Sequence, residues 1–178
     1  MQTIRAIIVF VLLAAISVAA EPAKTNSAPV TTEVFFSPNG GCTTAIVDEL
    51  QKAKSDVLVL AYSFTSREIA TALVDAHKRG VKVQVILDKS NLTEKYSAAD
   101  FVAHANIPIL IDSEHAIAHN KVMVIDGQVV ITGSFNFTKA AETANAENLL
   151  ILRDTALARK YADNWREHAG HSQPYAGR

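Results

Sequence analysis

Apolar runs that alternate with helix-periodic stretches, followed by a hairpin, predict an α/β fold built on a mixed β-sheet flanked by helices. Three observations carry that expectation. Residues 57–61 are a continuous apolar run, as suits a strand buried on both faces, and the apolar-rich segments 81–87 and 148–152 read as further strands. The stretches between them repeat apolar residues at helical spacing. Asp126-Gly127 separates the apolar runs 122–125 and 129–131, and a tight turn there needs the positive φ that this pair tolerates.

Each element follows in order. Residues 32–36 alternate and read as a first strand, closed by Ser37-Pro38-Asn39-Gly40-Gly41. Thr43 or Thr44 is the expected cap of a helix with Ile46, Val47, Leu50 and Ala53 on its apolar face. After the strand at 57–61, Ser66 is the expected cap of a second helix. That helix carries Ile69, Leu73 and Val74 and stops at Lys78-Arg79-Gly80. Residues 81–87 give a third strand, 91–104 a helix and 107–111 a fourth strand. The hairpin and the strand at 148–152 come next. Asp154 or Thr155 opens a last helix with Leu157, Ala158, Tyr161, Ala162 and Trp165 on one face, where Trp165 serves core or subunit packing. No internal repeat or low-complexity tract is present.

The chemistry concentrates around the hairpin. His119 and Lys121 are two apart and share a face if the strand reaches them. The turn at Asp126 then returns Gly133-Ser134-Phe135-Asn136 beside them. A nucleophilic imidazole, a fixed ammonium and two neutral donors around one volume suit a phosphodiester. Imidazole can form a covalent phosphohistidine, while Lys, Ser and Asn meet the charge on the phosphoryl oxygens. Another group must protonate the leaving oxygen and then activate water. Gly133 permits close backbone approach. Asp126, at the turn, points away from the site and is expected to fix the hairpin.

At these residues the chain resembles the phospholipase D superfamily, whose motif is H-x-K, four residues, D, six residues, then G-S-x-N. His119, Lys121, Asp126, Gly133, Ser134 and Asn136 fill every position. The resemblance spans residues 33–165 and is closest to the small secreted bacterial endonucleases with one motif per chain. It implies a phospholipase D-like sandwich, no cofactor, and DNA as substrate with RNA the other nucleic acid considered. It also implies that an acid at Glu147 hydrogen-bonds the active histidine and fixes its tautomer. Glu142 is the rival for that place, or else a solvated loop charge. Superfamily enzymes with two motifs bring two histidines together, but here no second H-x-K exists. An isologous homodimer sharing one site therefore follows from the chemistry and the motif count.

Residues 1–20 read as a signal peptide: Arg5, an apolar run to Ala20, and small residues before Glu21. A retained anchor is the alternative. Residues 21–32 form a flexible lead-in and 33–178 a single catalytic domain. The expected location is periplasmic or secreted, with no stable membrane association after cleavage. Loss of residues 1–20 removes only Arg5 among the charged groups, so 17 basic residues become 16 against 18 acidic, a formal charge of −2. That balance lacks the basic footprint of most DNA binders, so a nuclease needs a local basic cleft, with Lys121 and Lys139 as candidates.

Cys42 is the lone cysteine, which excludes an intrachain disulfide. It is either a small packed side chain or a thiol acidified at a helix start. His115-x3-His119 with Asp112 and Glu114 invites a metal reading, but that spacing needs a helix and no tight ligand set completes it, so no metal is expected. Tyr62-Ser63-Phe64-Thr65-Ser66-Arg67 follows a strand and is placed to line the substrate mouth, with Arg67 on phosphate or on a surface acid. Two rivals stand beside the nuclease: a phospholipase or phosphatidyltransferase using the same groups, and a non-catalytic nucleic-acid-binding protein.

Overall fold

The computed structural model describes residues 30–178; the signal and most of the lead-in expected in 1–32 lie outside the described residues. Among the described residues eight strands form one sheet: β1 (Thr31–Ser37), β2 (Asp56–Ala61), β3 (Lys82–Asp88), β4 (Ile109–Asp112), β5 (Lys121–Ile125), β6 (Val129–Gly133), β7 (Glu147–Arg153) and β8 (Gln173–Tyr175). Their order is β1-β7-β6-β5-β2-β3-β4-β8. Only the β2–β3 and β3–β4 pairs are parallel, so the sheet is mixed as expected. The helices are α1 (Cys42–Lys52), α2 (Arg67–Lys78), α3 (Ala99–His104), α4 (Lys139–Thr143) and α5 (Thr155–His171).

Two cores sandwich the sheet. On one face Ile46, Leu50, Ile69, Leu73 and Val102 from α1 to α3 close over Val57, Val59, Met123 and Ile131. On the other, α5 lays Ala158, Ala162 and Trp165 over Leu58, Leu60, Ile86, Val122, Val124 and Val130. Trp165 donates its indole N–H to the Val59 carbonyl at 2.8 Å, which settles its place as core. Strand alternation explains the split, because neighbours such as Val122 and Met123 serve opposite faces.

Several helix ends differ from the expectation. Neither Thr43 nor Thr44 caps α1. Gly41 takes the N-cap position in the left-handed region, with no side-chain cap of its own. The Glu142 carboxylate, a hundred residues on, accepts from the N–H groups of Gly41 (3.1 Å) and Thr43 (2.7 Å). A carboxylate there satisfies orphan donors and meets the positive end of the helix dipole. Glu142 is thus neither a free loop charge nor a partner of the histidine. Ser66 does cap α2, and Asp154 caps α5 through the N–H groups of Ala156 and Leu157.

The helix expected over 91–104 is broken into a 3₁₀ turn at Lys89–Leu92 and the short α3. The reason is the buried Asn91 side chain, which donates to the carbonyls of Tyr62 (2.6 Å) and Asp88 (3.1 Å) and accepts from Ser97. Such side-chain bonds offer the backbone an alternative to a helix. The structure adds α4 and the edge strand β8, which the sequence pattern did not announce.

The hairpin turn forms as expected, with φ of 53° at Asp126 and 60° at Gly127. The Asp126 carboxylate also reaches across to the α1–β2 loop, accepting from the N–H groups of Lys54, Ser55 and Asp56 and from the Ser55 hydroxyl. Burial raises its pKa, but these hydrogen bonds outweigh that effect and hold it below the usual carboxylate value. Since the folded pKa is depressed, this stabilisation is complete above the unfolded value of about 4 and is lost as pH falls through the folded value. Asp126→Asn keeps the tolerance for positive φ and is expected to cost about 1 kcal/mol at neutral pH, with the gap to wild type closing in denaturant melts below about pH 4.

Candidate active site

One end of the sheet gathers the chain's chemistry. The pairings Ala61–Lys121, Gly133–Leu149 and Ser37–Glu147 bring the carboxyl ends of β1, β2 and β6 together with the starts of β5 and β7. Strand β5 begins at Lys121, so His119 lies just ahead of it in the preceding loop and not within the strand. Both side chains nevertheless gather at Tyr62. The His119 ring lies 4.6 Å from the Tyr62 ring, tilted by 51°, and Lys121 Nζ stands 5.1 Å from the same ring. Lys121 Nζ also donates to the His119 carbonyl at 2.8 Å, and the Tyr62 N–H to the Asn120 carbonyl at 2.8 Å. Burial pushes the Lys121 pKa down, while the negative charge of Glu147 opposes that shift.

Across the hairpin, Phe135 and Phe137 are fully buried and anchor the chain between Ser134 and Thr138. Gly133 is required by space as well as by its φ of 148°, because a Cβ would sit 2.2 Å from the Asn148 carbonyl oxygen. Ser134 Oγ donates to Glu147 Oε2 at 2.6 Å and accepts from the Asn148 N–H at 3.1 Å. Asn136 carries a buried amide oxygen with no partner among the described residues.

Glu147 is placed as expected at the start of β7, but its carboxylate is engaged with Ser134 and, at 3.0 Å, with the Asn145 amide. No hydrogen bond joins it to His119 among the described residues. The His119 ring packs instead against Tyr62, a residue the sequence placed only in a loop at the substrate mouth. Asn148 was not singled out, since a polar residue opening an apolar strand gives no sign that it will bind Ser134.

Two alternatives left open by the sequence are decided. Cys42 is fully buried, and burial together with Glu142 pushes its thiol up to about 11, the reverse of acidification. The metal reading through His115 and His119 also fails, because His119 rests on Tyr62 while His115 turns to Asp112 at 3.0 Å. Among the described residues, no helix is long and apolar enough to cross a membrane.

The chain is similar to known proteins in sequence and in fold. The chain is 48% identical over 130 residues to a protein named phospholipase D from Rickettsia typhi, covering 73% of this chain and 64% of that protein. It thus spans just under two thirds of that relative's length. Nuc from Salmonella typhimurium, a phospholipase D family member, superposes with a TM-score of 0.79 at 37% identity, over 83% of this chain and 99% of that one. NucT from Helicobacter pylori does so with a TM-score of 0.76 at 25% identity, over 83% of this chain and 100% of that one. The family described as cardiolipin synthase, PLD-like domain, matches residues 46–168, a span that holds every motif residue and most of both flanking cores, and so the chain belongs to the phospholipase D-like family.

Proposed function

We propose that the protein is an exported, homodimeric phosphodiesterase that hydrolyses DNA, and RNA by the same chemistry, with little sequence preference and no metal in the reaction. The observation that carries this reading is the convergence of His119 and Lys121 on Tyr62, with Ser134 and Asn136 returned across the hairpin. Export rests on the apolar leader in residues 1–20.

In the proposed path, an imidazole nitrogen of His119 attacks phosphorus and the phosphorus–oxygen bond to the leaving group breaks. His119 of the partner subunit gives that oxygen its proton. It then takes one from water, which cleaves the phosphorus–nitrogen bond and frees the first histidine. Lys121 and Asn136 of both subunits, supported by Ser134, bear on the charged oxygens. Glu147 holds the Ser134 hydroxyl and supplies a negative charge near Lys121.

A dimer is supported by the single motif and by the edge of the sheet. Val34 pairs with Leu150 on the α5 face, yet α5 does not reach that far, leaving Val34 51% and Phe36 63% exposed. The same edge strand ends at Ser37, whose hydroxyl accepts from the Glu147 N–H at 3.2 Å. An apolar strip that adjoins the site suits a twofold contact closing over it.

Nucleic acid is supported by the resemblance to one-motif bacterial endonucleases. It is supported also by a cleft lined by Thr65, Arg67, Tyr96, Ala98 and Phe101. Tyr96 and Phe101 are exposed and offer ring faces to bases, with Arg67 beside them for phosphate. Formal charge is a weak counterargument, since the acidic count includes Glu49, Asp88 and Asp112, all buried and hydrogen-bonded inside the fold. A second reading, lipid phosphodiester cleavage, is favoured by the identity to relatives named phospholipase D.

Plasmid DNA is expected to be cut at 25 °C in excess EDTA, with His119→Ala slower by about a thousandfold or more and equally stable to heat. Cleavage of phosphatidylcholine or cardiolipin vesicles but not of plasmid would favour the lipid reading. A folded His119→Ala variant with near-normal turnover would sink both. Phe36→Glu is expected to give a folded monomer by sedimentation that has lost turnover; a fully active monomer would refute the shared site.

A further inference from the structure

Apart from the His119 site, four side chains from distant parts of the chain turn toward one point. Asp112 ends β4, His115 lies in the loop that leads to His119, and His168 and His171 stand one helical turn apart at the end of α5. Asp112 Oδ2 is 2.6 Å from His168 Nδ1, 3.0 Å from His115 Nδ1 and 3.3 Å from His171 Nε2. One ligand atom from each residue lies within 4.8 Å of every other. The three imidazole rings are mutual neighbours, with centroids 4.9, 5.2 and 5.4 Å apart. Asp112 is fully buried and His168 nearly so, while His171 and His115 line the solvent side.

We propose that Asp112, His115, His168 and His171 form a structural zinc site. Three imidazole nitrogens and one carboxylate oxygen are a complete tetrahedral set for zinc, and four protein ligands leave no open position for substrate. Zinc–ligand bonds of about 2.0–2.2 Å place tetrahedral ligand atoms roughly 3.3 Å apart. The His171 contact with Asp112 already matches that spacing; the His115 contact has to open by about 0.3 Å and the His168 contact by about 0.7 Å, and the ring nitrogens, all within 4.8 Å of one another, have to settle to the same spacing. The nitrogen and oxygen donors, with no sulfur among them, argue against a soft-metal or iron–sulfur site, and the imidazole majority argues against magnesium or calcium. On binding, the ring protons now shared with Asp112 move to the opposite ring nitrogens or to solvent.

The consequence is mechanical. The metal would tie the end of α5 to the loop that enters the active site, four residues before His119. That loop is held from its other side by Asp88, whose carboxylate accepts from the Ala118 N–H at 2.8 Å, and by Lys89, which donates to the His115 carbonyl at 2.8 Å. Zinc therefore braces this corner of the fold and takes no part in bond breaking.

The test uses untagged full chain. Metal analysis after dialysis should find one zinc per chain, and adding zinc to demetallated protein should raise Tm by about 5 °C or more, with magnesium inert. His171→Ala and, as a more exposed loop position, His115→Ala should each lose the bound zinc and the zinc-dependent rise while keeping wild-type circular dichroism. A wild-type chain that takes up no zinc, or folded variants that take up as much as wild type, overturns the assignment.

Discussion

The positive φ of Asp126 and Gly127 sets the register between β5 and β6, and the rest of the site hangs on that register. A strand that slips by one residue turns every side chain to the opposite face. Here the pairing of Met123 with Ile131 and of Val124 with Val130 sends alternate residues into the two cores. With both faces of the hairpin covered, a slip would send each apolar set into the core shaped for the other and turn Thr132 to the face now filled by Ile131. The same register delivers Lys121 at the start of β5 beside Gly133-Ser134 at the end of β6, so core packing enforces site geometry.

Carboxylates do much of the joining between segments. Asp126 holds the α1–β2 loop, Glu142 holds the start of α1, and Asp88 holds the loop before His119. Each accepts from backbone N–H groups that have no partner in a strand or helix. Unmet donors at such places are costly, and charged acceptors satisfy them with stronger bonds than neutral ones do. The acidic residues that make the composition look indifferent to nucleic acid are thus partly structural.

Placing the site at one end of the sheet also separates stability from chemistry. The strands below it are fully buried, with Val57, Val59 and Met123 wholly inaccessible, while His119 and Ser134 lie exposed above them. A rigid floor with reactive groups in the loops around it is the usual arrangement in sheets that bind ligands at strand ends. Edge strand β1 carries uncovered apolar surface, Val34 and Phe36, on the flank nearest Glu147.

Local information settled a large part of this protein. Apolar periodicity placed the central strands and the long helices, and the spacing from His119 to Asn136 marked the candidate site. These are near-neighbour effects: side-chain alternation, capping by Ser66 and Asp154, and the conformational tolerance of Asp126-Gly127 are all written within a few residues. What only the tertiary structure decided depends on groups far apart in the chain. Glu142 displaced the threonines at the start of α1, Tyr62 and not Glu147 came to rest on His119, and Asn91 broke an expected helix by bonding to another strand's carbonyl. The Asp112 cluster is the clearest case. His168 and His171 lie more than fifty residues from Asp112, and no local pattern reveals that α5 crosses the sheet at the angle that returns them to the end of β4. Packing of Ala158, Ala162 and Trp165 against the sheet fixes that crossing, and with it the meeting of four polar side chains that the sequence lists separately.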